Sequence, residues 1–238
     1  MKFKYLFLFL LLFSCRTLKT STEIAGADYL KDIRKELTVE WPKNRTINLV
    51  FHGHSVPAGY FKTPVVNTLA SYPFLLLKDL KKQYPFAVIN AINTSIGGEN
   101  SVKGTKRFDS AALVHQPDVL FIDYALNDRG VGLDQAAKAW ESMIRKAIKR
   151  NIKVILLTPS PDQRVNILDK ESDLEKHAIQ IRKLAEKYGT GLVDSYKIFQ
   201  KIAASGDSIS LYMSQVNHPN ELGHQLIANE IMHYFSEK

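Results

Sequence analysis

The chain has 238 residues, of which 45% are hydrophobic and 24% charged. This is globular composition, which excludes a disordered or low-complexity chain, and the length suits one domain of ordinary size. The net charge is +8, yet the basic residues are scattered at helical spacing, as in Lys78, Lys81, Lys82 and Lys146, Lys149, Arg150. No aromatic residues are interleaved with them, so they read as solvated faces, and nucleic acid is not expected as a partner. Cys15 is the only cysteine. An internal disulfide and a thiolate zinc site are therefore both excluded.

The first element is not part of a fold. Residues 1–15, MKFKYLFLFLLLFSC, place Lys2 and Lys4 ahead of an apolar run from Tyr5 to Phe13. Crossing ~30 Å of hydrocarbon takes ~20 helical residues. The run is too short to span and reads as an export signal. It ends in Leu12-Phe13-Ser14-Cys15, which is similar to a bacterial lipobox, in which the cysteine is lipidated and becomes the first mature residue. The expected organisation is a signal and lipobox over 1–15, a polar tether over 16–27 and one domain over 28–238. The expected location is the periplasm, outer membrane or cell surface, with a lipid anchor in the membrane.

Five short runs then follow in order: Thr46–Phe51, Phe86–Ile92, Asp118–Tyr124, Ile152–Thr158 and Thr190–Asp194. Their nearly continuous apolar character predicts strands buried on both faces. Between and after them, Tyr72–Lys82, Leu133–Arg150, Leu174–Tyr188 and Glu221–Phe235 carry apolar residues at three-to-four spacing and predict helices. Alternating strands and helices imply a parallel sheet covered on both sides.

In such sheets ligands bind beyond the carboxyl ends of the strands. Polar residues gather there. His52-Gly53-His54-Ser55 follows the first strand, Asn93 to Asn100 the second, Ala125 to Arg129 the third and Pro159 to Asp162 the fourth. Asn217-His218-Pro219-Asn220 precedes the last helix. A serine hydroxyl needs a base to become a nucleophile, and imidazole is the usual one. Ser55 and His218 are the candidates. Acyl transfer also needs donors where the oxyanion forms, each worth ~10²–10³ in turnover. The Ser55 and Gly98 backbone N–H groups and the Asn127 amide can supply three.

Gly53-His54-Ser55, Gly98, Asn127 and His218 resemble, in order and spacing, the four blocks of the SGNH (GDSL-type) hydrolases. NTSIGGENSVKGTKRF (93–108) is similar to the second block of that family, PDVLFIDYALND (117–128) to its third and VNHPNELGH (216–224) to its fifth. The resemblance covers residues 47 to 230. It implies a three-layer α/β/α sandwich around a five-stranded parallel, flavodoxin-like sheet. It also implies Ser55 as nucleophile, His218 as base, an oxyanion hole from Ser55, Gly98 and Asn127, and ester hydrolysis without metal or organic cofactor.

Three positions depart from the family pattern. His54 stands where Asp usually precedes the nucleophile, Ala125 where Gly is usual, and Gln215 where an Asp usually orients the histidine. The last matters most, because an amide in that place costs ~10⁴ in a triad that normally has a carboxylate. Gln215 is a possible orienter. Glu221, Asp207 and Asp123 are possible substitutes, as is a backbone carbonyl.

Two rivals follow from the same residues. One is a metal-dependent hydrolase built on His52 and His54 with His115, His224, Asp123 or Asp128. The other is a weak or inactive SGNH-fold lipoprotein that binds a glycan. The short loops predict a small acyl group such as acetyl, on a small ester or an acetylated polysaccharide.

Overall fold

The computed structural model describes residues 23–236. Five strands, β1 (Thr46–Gly53), β2 (Val88–Asn93), β3 (Val119–Asp123), β4 (Lys153–Leu157) and β5 (Gly191–Val193), form one parallel sheet in the order β2-β1-β3-β4-β5. The order reverses at β1, so the crevice at the switch point opens between the carboxyl ends of β1, β2 and β3.

Strand alternation divides the core in two. Leu49, Phe51, Phe121, Ile155 and Leu157 pack on one face with Leu76, Leu80, Phe199 and Ile227. Val50, Leu120, Ile122, Val154 and Leu156 pack on the other with Phe108, Trp140, Met143 and Ile144. The first face is covered by helices Lys31–Leu37, Tyr72–Gln83, Ser195–Ala204 and Glu221–Met232, and the second by Ser101–Ala111, Leu133–Lys149 and Asp173–Tyr188. This is the three-layer α/β/α arrangement expected from the sequence.

The four expected helices form with ends within a few residues of the expectation. Helix Ser101–Ala111 was not expected, because its buried positions are Ser101, Gly104 and Phe108, which make a weak apolar stripe. Its start is fixed instead by the Asn100 side chain, which caps the Lys103 N–H at 3.1 Å. A small antiparallel pair, Met213–Gln215 with His218–Pro219, also escapes sequence periodicity, being only three and two residues long. It sets Gln215 opposite His218. At the amino end, Ala25 N–H donates to Thr190 O at 3.0 Å. Among the described residues no helix is long and apolar enough to cross a membrane. The lipobox Cys15 lies outside the described residues.

Candidate active site

β1 ends in a tight turn. A Cβ on Gly53 would lie 2.5 Å from the Asp123 carbonyl, so the strand can meet β3 this closely only with glycine. The chain then turns into a single helical turn, Ser55–Ala58. His54 caps it, its Nδ1 accepting the Val56 N–H at 3.3 Å. The position usually occupied by Asp is therefore filled by another side-chain acceptor. Ser55 is the first residue of that turn, where a backbone N–H has no intrahelical acceptor.

The hairpin carrying His218 brings it to this turn. His218 Nε2 lies 2.8 Å from Ser55 Oγ, across 163 residues of sequence, and both residues are buried. The remaining nitrogen, Nδ1, lies 3.2 Å from the Phe61 carbonyl. It also contacts Gln215 Nε2. Gln215 Oε1 accepts the Thr63 N–H at 3.2 Å and faces the Thr63 hydroxyl at 3.4 Å. A main-chain N–H can only donate, so it fixes the amide oxygen on the Thr63 side and leaves the amide nitrogen facing His218. Burial pulls the His218 pKa below the usual imidazole value, against the Phe61 carbonyl, which favours the protonated form.

The opposite wall is the loop after β2. It is tied to β1 by Thr94 N–H to Phe51 O at 2.8 Å and Ile96 N–H to Gly53 O at 3.0 Å. Gly98 has φ +73°, in the left-handed region, and a Cβ there would meet nothing within 4 Å. The space a side chain would take there is open. Asn127 donates Nδ2–H to the Glu99 carbonyl at 2.9 Å, which holds the amide beside the Gly98 loop and leaves its second N–H for a ligand. The Glu99 carboxylate is gripped by Arg107 Nε at 2.8 Å and by the Tyr124 hydroxyl at 2.9 Å. Burial alone would raise the Glu99 pKa, yet these bonds carry it below the usual carboxylate value.

Several expected residues lie elsewhere or serve other ends. His52 Nδ1 bonds the Thr94 hydroxyl at 2.8 Å and Nε2 the Gly104 carbonyl at 3.2 Å, and burial lowers its pKa to about 4. It is a structural histidine of β1, whereas His54 lies beyond the strand and caps the next turn. Asp128 is buried under Trp140 Nε1 at 2.7 Å and Ser101 N–H at 2.8 Å. His224 Nδ1 accepts the Tyr72 N–H at 3.2 Å. Among the described residues no three histidines, cysteines or carboxylates converge as a metal site would need. The substitute carboxylates do not serve His218 either. Asp123 faces His54 Nε2 at 3.2 Å, without the alignment of a hydrogen bond, and accepts the Tyr72 hydroxyl at 3.1 Å. Asp207 bonds Ser205, and Glu221 is an exposed residue in the first turn of the last helix. Among the described residues none makes an ion pair with His218. A cavity of about 620 Å³ lies away from Ser55, and its Glu175, Arg182 and Asp194 are already paired with one another at 2.8–2.9 Å.

Sequence reasoning missed the segment that completes the site. The Phe61 carbonyl and Thr63 come from a hairpin, Tyr60 to Val66, closed by an antiparallel bridge between those two residues. A backbone carbonyl leaves no trace in side-chain identity. Glu99 and Arg107 were visible as an acid and a base eight apart, but nothing in their spacing tied them to Gly98.

A doubly wound sheet whose switch-point crevice holds a serine on an imidazole, flanked by backbone and amide donors, has the parts of a serine-dependent acyl hydrolase. The GDSL-like Lipase/Acylhydrolase family profile matches residues 51–226. The chain belongs to that family. No curated protein sequence matches it. Among solved structures it is similar to a two-domain esterase active on acetylated mannans, with TM-score 0.69 and 20% identity over 92% of this chain. The chain spans 56% of that protein's length. It is also similar to an acetylxylan esterase from Geobacillus stearothermophilus, with TM-score 0.69 and 18% identity over 81% of this chain and 95% of that one. At these identities the likeness is one of fold.

Proposed function

We propose that the chain is a serine esterase that removes small acyl groups, acetyl foremost, from a carbohydrate. The observation that carries this is the 2.8 Å contact between Ser55 Oγ and His218 Nε2, with His218 Nδ1 against the Phe61 carbonyl. With its proton on Nδ1 and donated to that carbonyl, the imidazole presents a lone pair on Nε2. The Ser55 proton moves to it as Oγ attacks the ester carbon. The Ser55 and Gly98 N–H groups and the free Asn127 N–H receive the oxyanion. The C–O bond to the alcohol then breaks, and the leaving oxygen takes the proton from Nε2. Water repeats the sequence on the acyl-serine, with His218 again as base, and releases the acid.

Carbohydrate as substrate draws support from the mannan and xylan esterases that share the fold. For location we propose an exported lipoprotein, acylated at Cys15 and held at a membrane. The basis is the lysine-flanked apolar run ending at the only cysteine.

The test is acetate release from acetylated xylo-oligosaccharides and mannans by residues 16–238, with Ser55→Ala as the blank. No release above that blank on any acetylated ester would end the esterase reading. Mass spectrometry of the membrane-bound protein should find Cys15 acylated at the mature amino terminus. An unmodified terminus there would end the anchor.

A further inference from the structure

Tyr60 is an aromatic side chain that touches both halves of the site. Its ring centroid lies 6.1 Å from that of His218. On its other side it presses on the Gly98 loop. A Cβ added at Gly97 would lie 2.8 Å from Tyr60 Cζ and 2.9 Å from its hydroxyl. Gly97 does not have a positive φ, so its backbone does not demand glycine. The space demands it, and what fills that space is the Tyr60 ring. The ring is also held from behind. Tyr60 N–H donates to the Ser55 carbonyl at 3.0 Å, and the hairpin is closed by Asn67 N–H to Gly59 O at 2.7 Å and by the Tyr60–Val66 bridge. Tyr60 is nonetheless 36% exposed. A large aromatic ring, fixed to the nucleophile's own backbone and open to solvent, is a preorganised contact surface.

The chemistry decides which half of an ester it meets. The carbonyl oxygen points to the donors at Ser55, Gly98 and Asn127. The leaving oxygen must come within hydrogen-bond reach of His218 Nε2, which protonates it. The alcohol therefore departs along the edge between His218 and the Gly97–Gly98 loop, and Tyr60 forms that edge. The acyl group takes the opposite direction. Resting on the serine-esterase reading above, we infer that Tyr60 is the specificity residue for the alcohol, receiving the apolar C–H face of a pyranose ring, with its hydroxyl available to the sugar's own hydroxyls. Tyr60 is a binding residue here and moves no proton.

The experiment compares acetylated xylo-oligosaccharide with methyl acetate, whose alcohol is too small to reach a platform. Tyr60→Ala is expected to lower kcat/KM on the oligosaccharide at least tenfold more than on methyl acetate, mostly through KM. Tyr60→Phe, which keeps the ring, should restore most of that ratio. Gly97→Ala, which pushes the ring off its seat and leaves the Tyr60 backbone intact, should reproduce the selective loss. The acetyl-to-butyryl preference should not move in any of the three. Equal losses on both substrates, or a changed acyl-length preference without a selective oligosaccharide loss, would overturn the assignment. Calorimetry of the oligosaccharide on Ser55→Ala, with and without Tyr60→Ala, reads the same contact without turnover. Unchanged affinity there overturns the platform, whereas absence of turnover in the parent overturns the esterase reading instead.

Discussion

Gln215 turns its amide nitrogen, not its carbonyl oxygen, toward His218 Nδ1, because its oxygen is claimed by the Thr63 N–H. Nδ1 thus meets an acceptor, Phe61 O, and a donor, Gln215 Nε2, and can serve only one at a time. Donating to Phe61, it leaves Nε2 free to take the Ser55 proton. Accepting from Gln215, it places the ring proton on Nε2, and His218 then cannot act as base. The residue at 215 therefore sets the fraction of His218 in the working tautomer.

Gln215→Glu resolves that conflict. A carboxylate of the same length has two acceptor oxygens, one for Thr63 N–H and one for His218 Nδ1–H. It adds the charge that stabilises the imidazolium. Turnover is expected to rise by roughly ten- to a hundredfold, the equivalent of about one to two pK units of interaction. Gln215→Asp, one methylene shorter, should gain less. The pH profile provides the sign. His218 must be neutral to act, and its pKa now lies below the ordinary imidazole value. A carboxylate raises it, so the acid limb of kcat/KM should move to higher pH. A profile that does not move, with turnover unchanged, would mean that the Phe61 carbonyl alone sets the tautomer.

Ser55→Ala should abolish turnover, and a serine-directed phosphonate should label Ser55 alone. Full activity in the alanine variant would remove the nucleophile from the mechanism.

The five strands were readable because apolar runs mark them, although β2, expected to be buried on both faces, is a partly exposed edge strand; Ser55, Gly98, Asn127 and His218 were singled out by motif. The contact between Ser55 and His218 then follows from the fold. What was not readable is carried by groups that sequence does not encode locally. The Phe61 carbonyl could come from any residue, and the facing of Gln215 depends on which hairpin presents Thr63. His52 and His54 look like a ligand pair on paper. In the fold one is locked between Thr94 and Gly104 and the other caps the turn that begins at Ser55.

Asn127 and the Glu99–Arg107 pair can be separated by kinetics. Asn127→Ala removes a donor aimed at the developing charge and is expected to cost ~10²–10³ in kcat with little change in KM. Arg107→Met leaves the donors in place but frees the Glu99 carboxylate in a buried setting. It should lower thermal stability and cost less in kcat. A larger kcat loss in Arg107→Met than in Asn127→Ala would reverse these roles.

Aryl acetate should turn over faster than aryl octanoate. The expectation follows from the proposed preference for acetyl, and the Tyr60 to Val66 hairpin, on the alcohol side of His218, takes no part in it. A clear preference for octanoate would overturn the proposed acetyl preference.

Stability should fall in acid before the carboxylates titrate, and the sign follows from the buried histidines. Burial lowers the pKa of His52 to about 4 and that of His224 to about 3. In the unfolded chain both return to about 6.5. Between these values the unfolded state binds protons that the native state refuses, so stability is fully present above about 6.5 and is lost as pH falls toward the folded values. Each histidine contributes on the order of a few kcal/mol across that window. Asp162, held near 2 by Arg164 and Arg129 against a burial effect that would raise it, has the opposite kind of shift. Its contribution is intact until pH drops below about 4. Denaturant unfolding at a series of pH values should therefore show stability falling steadily from pH 6.5 toward 5, as unfolding takes up protons on these histidines. A free energy that stays flat from pH 6.5 to 5 and declines only below 4 would mean that His52 and His224 are protonated, or reach water, in the native protein.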